Sequence, residues 1–396
     1  MKYLLHLLIL VFFFEGCNSQ PGTATKSTST TAKTTSAVEK SVVQDSVLRD
    51  YSLFLAGKPL VGNSVPAKIL NSPLNKKYVA EMDSNFSKIE VNRLSLMRQW
   101  ADAEMKTEHE QSRVLFYPFS GPDILHAMQF YPNATEYVMI ALERYGSIPD
   151  FKKMDSAQAT VYLNSVYQSL QDVFGKSYFI TRKMVQDLQR VKVNGVIPLM
   201  CLFLERTNHP VVAIYNKHLN NDGTVVSLSA DSVPSHTNDF IEIYFRTQGV
   251  DTLRKIVYFR TNLGDNAYQG MTSFKDNKAL QNYLNALPDF YVYAKAASYL
   301  MNSTDFSAIR DFCLKKGKSV LQDDTGIGFK YFDKNVWTMK LYGHYAKPVS
   351  DFPWIKDELL DKAYKSDSSH VQPLSFSLGY HWGNINNQNL MKAIKK

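Results

Sequence analysis

A mixed α/β fold tending to α+β, with N-terminal helices packed on a mixed sheet and a hairpin-rich second half, follows from three features of the 396-residue sequence. The first is the stretch from Val114 to Asp150, VLFYPFSGPDILHAMQFYPNATEYVMIALERYGSIPD. It reads as strand, tight turn, short helix, strand. The second is a pair of helical apolar patterns ahead of it. The third is a change of texture after Val196, where strand and hairpin signals take over.

The organising stretch opens with the apolar run Val114 to Phe119, bounded by Ser120-Gly121-Pro122-Asp123. Ile124, Leu125, Met128 and Tyr131 then show helical spacing, which Pro132 ends. Tyr137 to Leu142 forms the second strand, closed by Glu143, Gly146 and Pro149. Upstream, residues 42–60 carry Val43, Val47, Leu48, Tyr51, Phe54 and Leu55 at helical positions, stopped by Gly57 and Pro59. Tyr78 to Glu104 is a second amphipathic run. Downstream, Asp155 or Ser156 caps a helix through Phe174, and a shorter helix is expected at Thr181–Val191.

Val196 to Leu204 is a continuous apolar run, as expected of a strand buried on both faces. Val211 to Tyr215 and Thr224 to Leu228 flank the turn Asn221-Asp222-Gly223 and predict a hairpin. A clearer hairpin lies between Phe240 and Leu263, turning at Gln248-Gly249. Period two puts Ile241, Ile243 and Phe245 on one face with Val257 and Phe259 across. Glu242, Tyr244, Arg246, Tyr258 and Arg260 fall on the other. Helical patterns return at Lys278–Met301, broken at Pro288, and at Phe306–Leu321. Strands are expected at Gly328–Phe332, Trp337–Tyr342 and Ser375–Tyr380, before a short basic tail.

The N-terminus reads as a processing segment. Lys2 precedes an apolar run from Leu4 to Phe14, too short to span a bilayer, and the run ends in Phe14-Glu15-Gly16-Cys17. That ending resembles the lipobox of bacterial lipoproteins, which implies acylation of Cys17 and cleavage before it. Residues 1–16 are then a signal peptide. Residues 17–41 are a lipidated cysteine and a Ser/Thr/Lys tether too poor in large apolar side chains to fold. Its reach is roughly 25 Å. Residues 42–396 make one globular unit, with division into two lobes near 206–210 as the second organisation. The compartment expected is the bacterial cell envelope, lipid-anchored, on the outer membrane facing the periplasm or the surface.

The net charge of +8 does not imply nucleic acid, because the basic residues form no recognisable binding module with aromatics. The expected partners are the membrane, through the anchor, and an anionic envelope glycan. Arg forks and Tyr faces suit such a glycan, which makes Tyr244, Arg246, Tyr258 and Arg260 the ligand-binding candidates. With Cys17 lipidated, Cys201 and Cys313 sit in apolar segments and read as buried free thiols. No His/Cys spacing suggests a metal. Asp323-Asp324 with Asp265 could supply hard oxygen ligands, but paired aspartates before Thr-Gly are ordinary turn formers.

Ser120, Asp123 and His126 are the catalytic candidates. Ser120 precedes a helix, as a hydrolase nucleophile does, though outside a GxSxG elbow. The strand-turn-helix-strand outline also resembles the first unit of nucleotide- or methyl-donor-binding folds, with Glu143 as the acid for a ribose. A single glycine at Gly121 and the donor lost at Pro122 weigh against it, so no cofactor is expected. Tyr293-Ala-Lys295-Ala-Ala-Ser298 reverses the order of an SxxK nucleophile motif and is not read as one.

The two cores YPFSGPD–ALERYGSIPD and YAKAASYLM–LQDDTGIGF resemble an uncharacterised family of exported bacterial proteins, a likeness that implies one inseparable unit and transfers no catalytic residue. Asp-Ser/Thr-apolar triplets begin at Asp45, Asp155, Asp231 and Asp251, and resemble the O-glycosylation sequon of some envelope proteins. The function expected is a non-catalytic binding or scaffold lipoprotein. The alternative is an envelope hydrolase using the Ser120 turn.

Overall fold

Side chains in the central strands alternate between two apolar cores, one on each face of a single ten-stranded sheet. In β1 (Val114–Pro118), Leu115 and Tyr117 enter the first core, while Val114 and Phe116 enter the second. β2 (Glu136–Ala141) divides the same way, Tyr137 and Met139 against Val138 and Ile140. This period-two split is what a sheet covered on both faces requires. The computed structural model describes residues 42–178, 193–229, 238–346, 349, 352, 355–366, 370–384 and 386–396. The leader, Cys17, the tether, the expected helix Thr181–Val191 and the triplet at Asp231 lie outside the described residues.

The remaining strands are β3 (Val211–Leu219), β4 (Val225–Ser227), β5 (Asp239–Thr247), β6 (Val250–Arg260), β7 (Phe290–Ala294), β8 (Gly317–Gln322), β9 (Trp337–Gly343) and β10 (Asn389–Lys395). Their spatial order is β4-β3-β5-β6-β2-β1-β7-β8-β10-β9. The middle five, β6-β2-β1-β7-β8, are all parallel, and antiparallel strands extend both edges. From β1 the chain moves outward to β2 and β6, then returns to β7 on the other side of β1. The order therefore reverses between β1 and β7. The fold is mixed α/β, as expected from the sequence, with antiparallel strands at both edges.

The first face is covered by α1 (Ser46–Leu55), α2 (Pro73–Ile89), α3 (Ser95–Glu104), α4 (Lys106–Gln111), α5 (Ile124–Phe130), α6 (Ser156–Ser169) and α7 (Ile197–Arg206). A π-helical turn, Glu90–Leu94, joins α2 to α3. α8 (Lys278–Ala286) and α9 (Ser307–Lys316) cover the second face, and α10 (Glu358–Ser366) lies near the C-terminus. Asp45 and Asp155, each the first residue of a triplet, accept backbone N–H groups as caps of α1 and α6. No helix among the described residues is long and apolar enough to cross a membrane.

Several elements differ from the sequence reading, each for a local reason. Val196–Leu204 is not a strand but α7, whose residues Ile197–Glu205 are all buried. A helix buried all round shows no amphipathic stripe, so it mimics a buried strand. The C-terminal parts of the helices expected at Lys278–Met301 and Phe306–Leu321 are β7 and β8. Buried parallel strands lack alternation, so their apolar runs merge with the helices before them. Gly328–Phe332 holds only a 3-10 turn at Phe329–Tyr331, and Ser375–Tyr380 is not a strand. The basic tail is instead β10, set between β8 and β9.

Register also corrects the long hairpin. Ile241 lies opposite Tyr258 and Ile243 opposite Ile256, so Val257 and Phe259 face the other way from Ile241 and Ile243. A one-residue slip exchanges the faces of a whole strand. Arg206 to Pro210 links α7 to β3 within one compact unit, Val42–Lys396. Cys201 and Cys313 are free and buried, in different cores.

Two loops on the first face meet backbone to backbone. A Cβ on Gly195 would lie 2.3 Å from the Gly146 nitrogen and 2.5 Å from the Arg144 carbonyl. The bonds Val196 N–H to Arg144 O and Ile197 N–H to Tyr145 O run beside this contact. Gly195→Ala should therefore destabilise by more than about 1 kcal/mol in denaturant unfolding. An unchanged midpoint would show that the loops separate without cost.

Candidate functional site

The reversal of strand order places the ends of β1 and β7 side by side, where open α/β sheets hold ligands. The turn after β1 supplies Ser120, Gly121 and Asp123. Phe119 and Gly121 both take positive φ, 59° and 53°, which folds the turn back over the strand end. Asp123 caps α5, its Oδ1 accepting from the His126 N–H at 3.3 Å. The residue after β7 is Lys295, and after β8 come Asp323 and Asp324.

These groups form a buried network. Asp123 Oδ1 is 2.6 Å from His126 Nδ1, and Asp123 Oδ2 is 2.6 Å from Lys295 Nζ. The Tyr117 hydroxyl donates to Oδ2 at 3.0 Å. Lys295 Nζ also donates to the Ser177 carbonyl at 2.7 Å. Asp123, His126 and Lys295 are 3%, 0% and 3% exposed, so solvent screens none of this. Burial pulls the Asp123 carboxyl up, but His126 and Lys295 pull it further down, well below the ordinary carboxylate range. Burial lowers the His126 imidazole to about 4, against the pull of Asp123. His126 is therefore neutral at neutral pH, its Nδ1 facing Asp123 Oδ1 at 2.6 Å and Lys295 Nζ at 3.0 Å. Its Nε2 is buried with no hydrogen-bond partner among the described residues. Burial also lowers Lys295, and Asp123 opposes it.

A second cluster adjoins the first. Asp323 Oδ2 accepts the Ala296 N–H at 2.9 Å, and Oδ1 accepts Thr325 Oγ1 at 2.5 Å. Burial and then Asp324 raise Asp323 to about 6. Asp324 accepts Tyr299 OH at 2.5 Å and faces His381 Nε2 at 2.7 Å. A Cβ on Gly379 would meet Asp323 Oδ2 at 2.5 Å and Lys295 Cγ at 3.5 Å, so the two clusters touch. Arg93, turned inward by the π-helical turn, donates to the Val173 and Phe174 carbonyls and lies 3.8 Å over the Trp382 ring. Phe119, Ser177, Ala296, Ser298 and Tyr299 all hold positive φ along this edge. Strain of this kind persists only where surrounding contacts over-determine it.

Ser120 does not join His126. Its hydroxyl donates to the Gly121 carbonyl at 3.0 Å, with the Ile140 carbonyl at 3.4 Å. The binding candidates do not assemble either. Tyr258 is fully buried and donates to the Glu143 carbonyl, and Arg260 donates to the Leu142 carbonyl on the same side. Tyr244 turns to the opposite face and donates to Glu242, while Arg246 pairs with Asp251 at 2.8 Å. Asp265 caps α9 through the Ser307 and Ala308 N–H groups, and no cluster of metal-ligand type occurs among the described residues.

A nucleotide does not fit this turn. A cradle for phosphate needs free N–H groups at a helix N-terminus. Here the Asp123 carboxylate occupies the start of α5, and its charge would repel a phosphate. Lys295 was weighed in the sequence only as part of a reversed SxxK order and set aside, though a lone lysine after the apolar run Phe290–Ala294 was a visible signal. Arg93, Tyr117 and His381 left no local trace. No family model, no curated protein and no solved structure matches the chain.

Two outcomes follow. Lys295→Met leaves the Asp123 carboxylate buried without its cation, and removing one partner of such a pair costs about 3–5 kcal/mol. Chemical denaturation checks this, and a loss below about 1 kcal/mol would show that the pair is solvated. The second outcome concerns His126, which takes its proton near 6.5 when unfolded and only near 4 when folded. Between those values the unfolded chain holds the extra proton, so His126 lowers stability as pH falls from about 6.5 to about 4. Asp323 titrates in an overlapping window with opposite sign, so the difference between wild type and His126→Gln is the readout. Wild type should lose on the order of 2–3 kcal/mol relative to that variant across the window. Parallel curves would mean that His126 is not buried neutral.

Proposed function

We propose that this chain is a membrane-anchored envelope lipoprotein that binds or scaffolds and does no chemistry at its sheet. The observation that carries the second half is the filled switch point. Where a doubly wound sheet opens a crevice, this one holds Asp123, Lys295 and His126, none more than 3% exposed. A ligand entering there would have to part an ion pair at 2.6 Å that water does not reach. Such a network rigidifies the strand ends. The first half rests on the apolar run Leu4–Phe14 and on Gly16-Cys17.

The alternative, a hydrolase using the Ser120 turn, has one observation on its side. His126 has the Asp–His orientation of a general base, with Nε2 unbonded. It lacks the nucleophile, because Ser120 Oγ is committed to backbone carbonyls. An enzyme of this design also needs an open approach to the imidazole, and His126 is fully buried.

Fractionation tests the anchor. Cys17→Ser should move the protein from the membrane to the soluble fraction and abolish labelling by a fatty-acid analogue. A Ser variant that stays on membranes with unchanged mobility would overturn it.

A further inference from the structure

The end of the parallel strands opposite the filled switch point carries a cavity. α4 and the neighbouring parts of β8, β10 and β9 border an opening. The opening left there has a volume of about 550 Å³, within the range of small-molecule sites. Its walls carry Lys106, Lys318, Lys340, Lys392 and Lys395, contributed by α4 and three strands.

Three carboxylates line the same space, and each is already matched. Glu104 lies 3.7 Å from Lys340 and accepts the Tyr342 hydroxyl at 2.7 Å. Glu108 lies 3.1 Å from Lys392, and Asp289 lies 3.0 Å from Lys318. Five lysines against three acids leave two positive charges in excess, those of Lys106 and Lys395. Lys395 donates to the Leu314 and Lys315 carbonyls and meets no carboxylate within ion-pair distance. Burial, and then the neighbouring Lys318, hold its ammonium below the ordinary lysine value.

The strand pairing adds to the like-charge crowding. Lys392 on β10 sits directly opposite Lys340 on β9, a pairing that sheets avoid because it is destabilising. Lys392 is only 4% exposed, so its charge is held near the cavity floor. Glu104 and Glu108 offset that repulsion, which leaves Lys106 and Lys395 as the lining cations without a carboxylate. Around the cations stand groups that suit hydroxyls: Thr107, Gln111, Ser319 and the face of Tyr291.

We propose that this cavity binds a sugar bearing phosphate or carboxylate groups. The inference deepens the binding reading above, because it names the ligand class, and it does not depend on the lipid anchor. Lysine ammoniums serve as point charges for such oxyanions without demanding bidentate geometry. Phosphorylated lipid headgroups and free acidic polysaccharides share this chemistry. The hairpin expected to grip an anionic glycan has no assembled face, whereas five lysines line this one cavity.

The test is calorimetric titration of the full-length protein with glucose 1,6-bisphosphate, oligogalacturonate and neutral maltotriose. Expected is saturable binding of at least one anionic probe, weakening as salt rises, with no binding of maltotriose. Lys106→Gln with Lys395→Gln removes the two excess charges and should weaken binding at least about tenfold. Lys152→Gln with Lys153→Gln removes two lysines that do not line the cavity and should leave binding unchanged. Preference for the bisphosphate points to a headgroup source, and preference for oligogalacturonate to a polysaccharide; either supports the proposal. No anionic probe binding, equal binding of maltotriose, or equal loss in the two double variants would overturn it. Such a failure leaves the anchor standing, because fractionation of Cys17→Ser reads that separately.

Discussion

Asp123 is the residue on which the centre of this molecule depends. Its carboxylate is buried, and an isolated buried charge is among the costliest features a fold can contain. The cost is offset by Lys295 after β7, by the His126 imidazole and backbone N–H on α5, and by Tyr117 from β1. Because Lys295 also donates to the Ser177 carbonyl, the same ion pair ties the end of the first βα unit to the end of the short helix Gln171–Lys176. The strand ends cannot separate without leaving a charge unpaired in a dry interior.

That constraint decides what the sheet can be used for. The parallel strands β6-β2-β1-β7-β8 have the order that usually opens a ligand crevice beside the first strand. In this chain the crevice is filled by side chains that satisfy one another, and the neighbouring Asp323-Asp324 cluster extends the filled zone to the end of β8. Open polar volume lies instead toward the start of β8, where lysines rather than acids prevail. The molecule thus fills one end of its parallel strands with paired charges and leaves an open polar volume at the other.

Tyrosine is plentiful because it resolves a packing problem on the first face. Tyr117 and Tyr293 pack at 4.6 Å, and Tyr131 and Tyr291 at 6.2 Å. Large rings fill the space between sheet and helices, while many hydroxyls reach buried acceptors such as Asp123, the Tyr131 carbonyl and the Glu143 carbonyl. Phenylalanine could supply the area but not the bonds.

The local sequence determined the elements whose signals are short-range. The run Val114–Phe119, the SGPD turn, the helix stopped by Pro132 and the turn at Gln248-Gly249 all stand in the structure near their expected places. Asp123 and His126 were legible as a helix start and its first turn, because capping chemistry is written within four residues. Other features required the tertiary structure, since they depend on which strands become neighbours. Lys295 meets Asp123 only because β7 returns beside β1, and the basic tail becomes a strand only because β8 and β9 leave it a slot. A helix buried all round and a strand buried on both faces present the same apolar string, so Ile197–Arg206 could be assigned only by its surroundings. The hairpin's binding face dissolved for the same reason: residue spacing fixes alternation along one strand, but cross-strand register, which sets what shares a face, is decided in three dimensions.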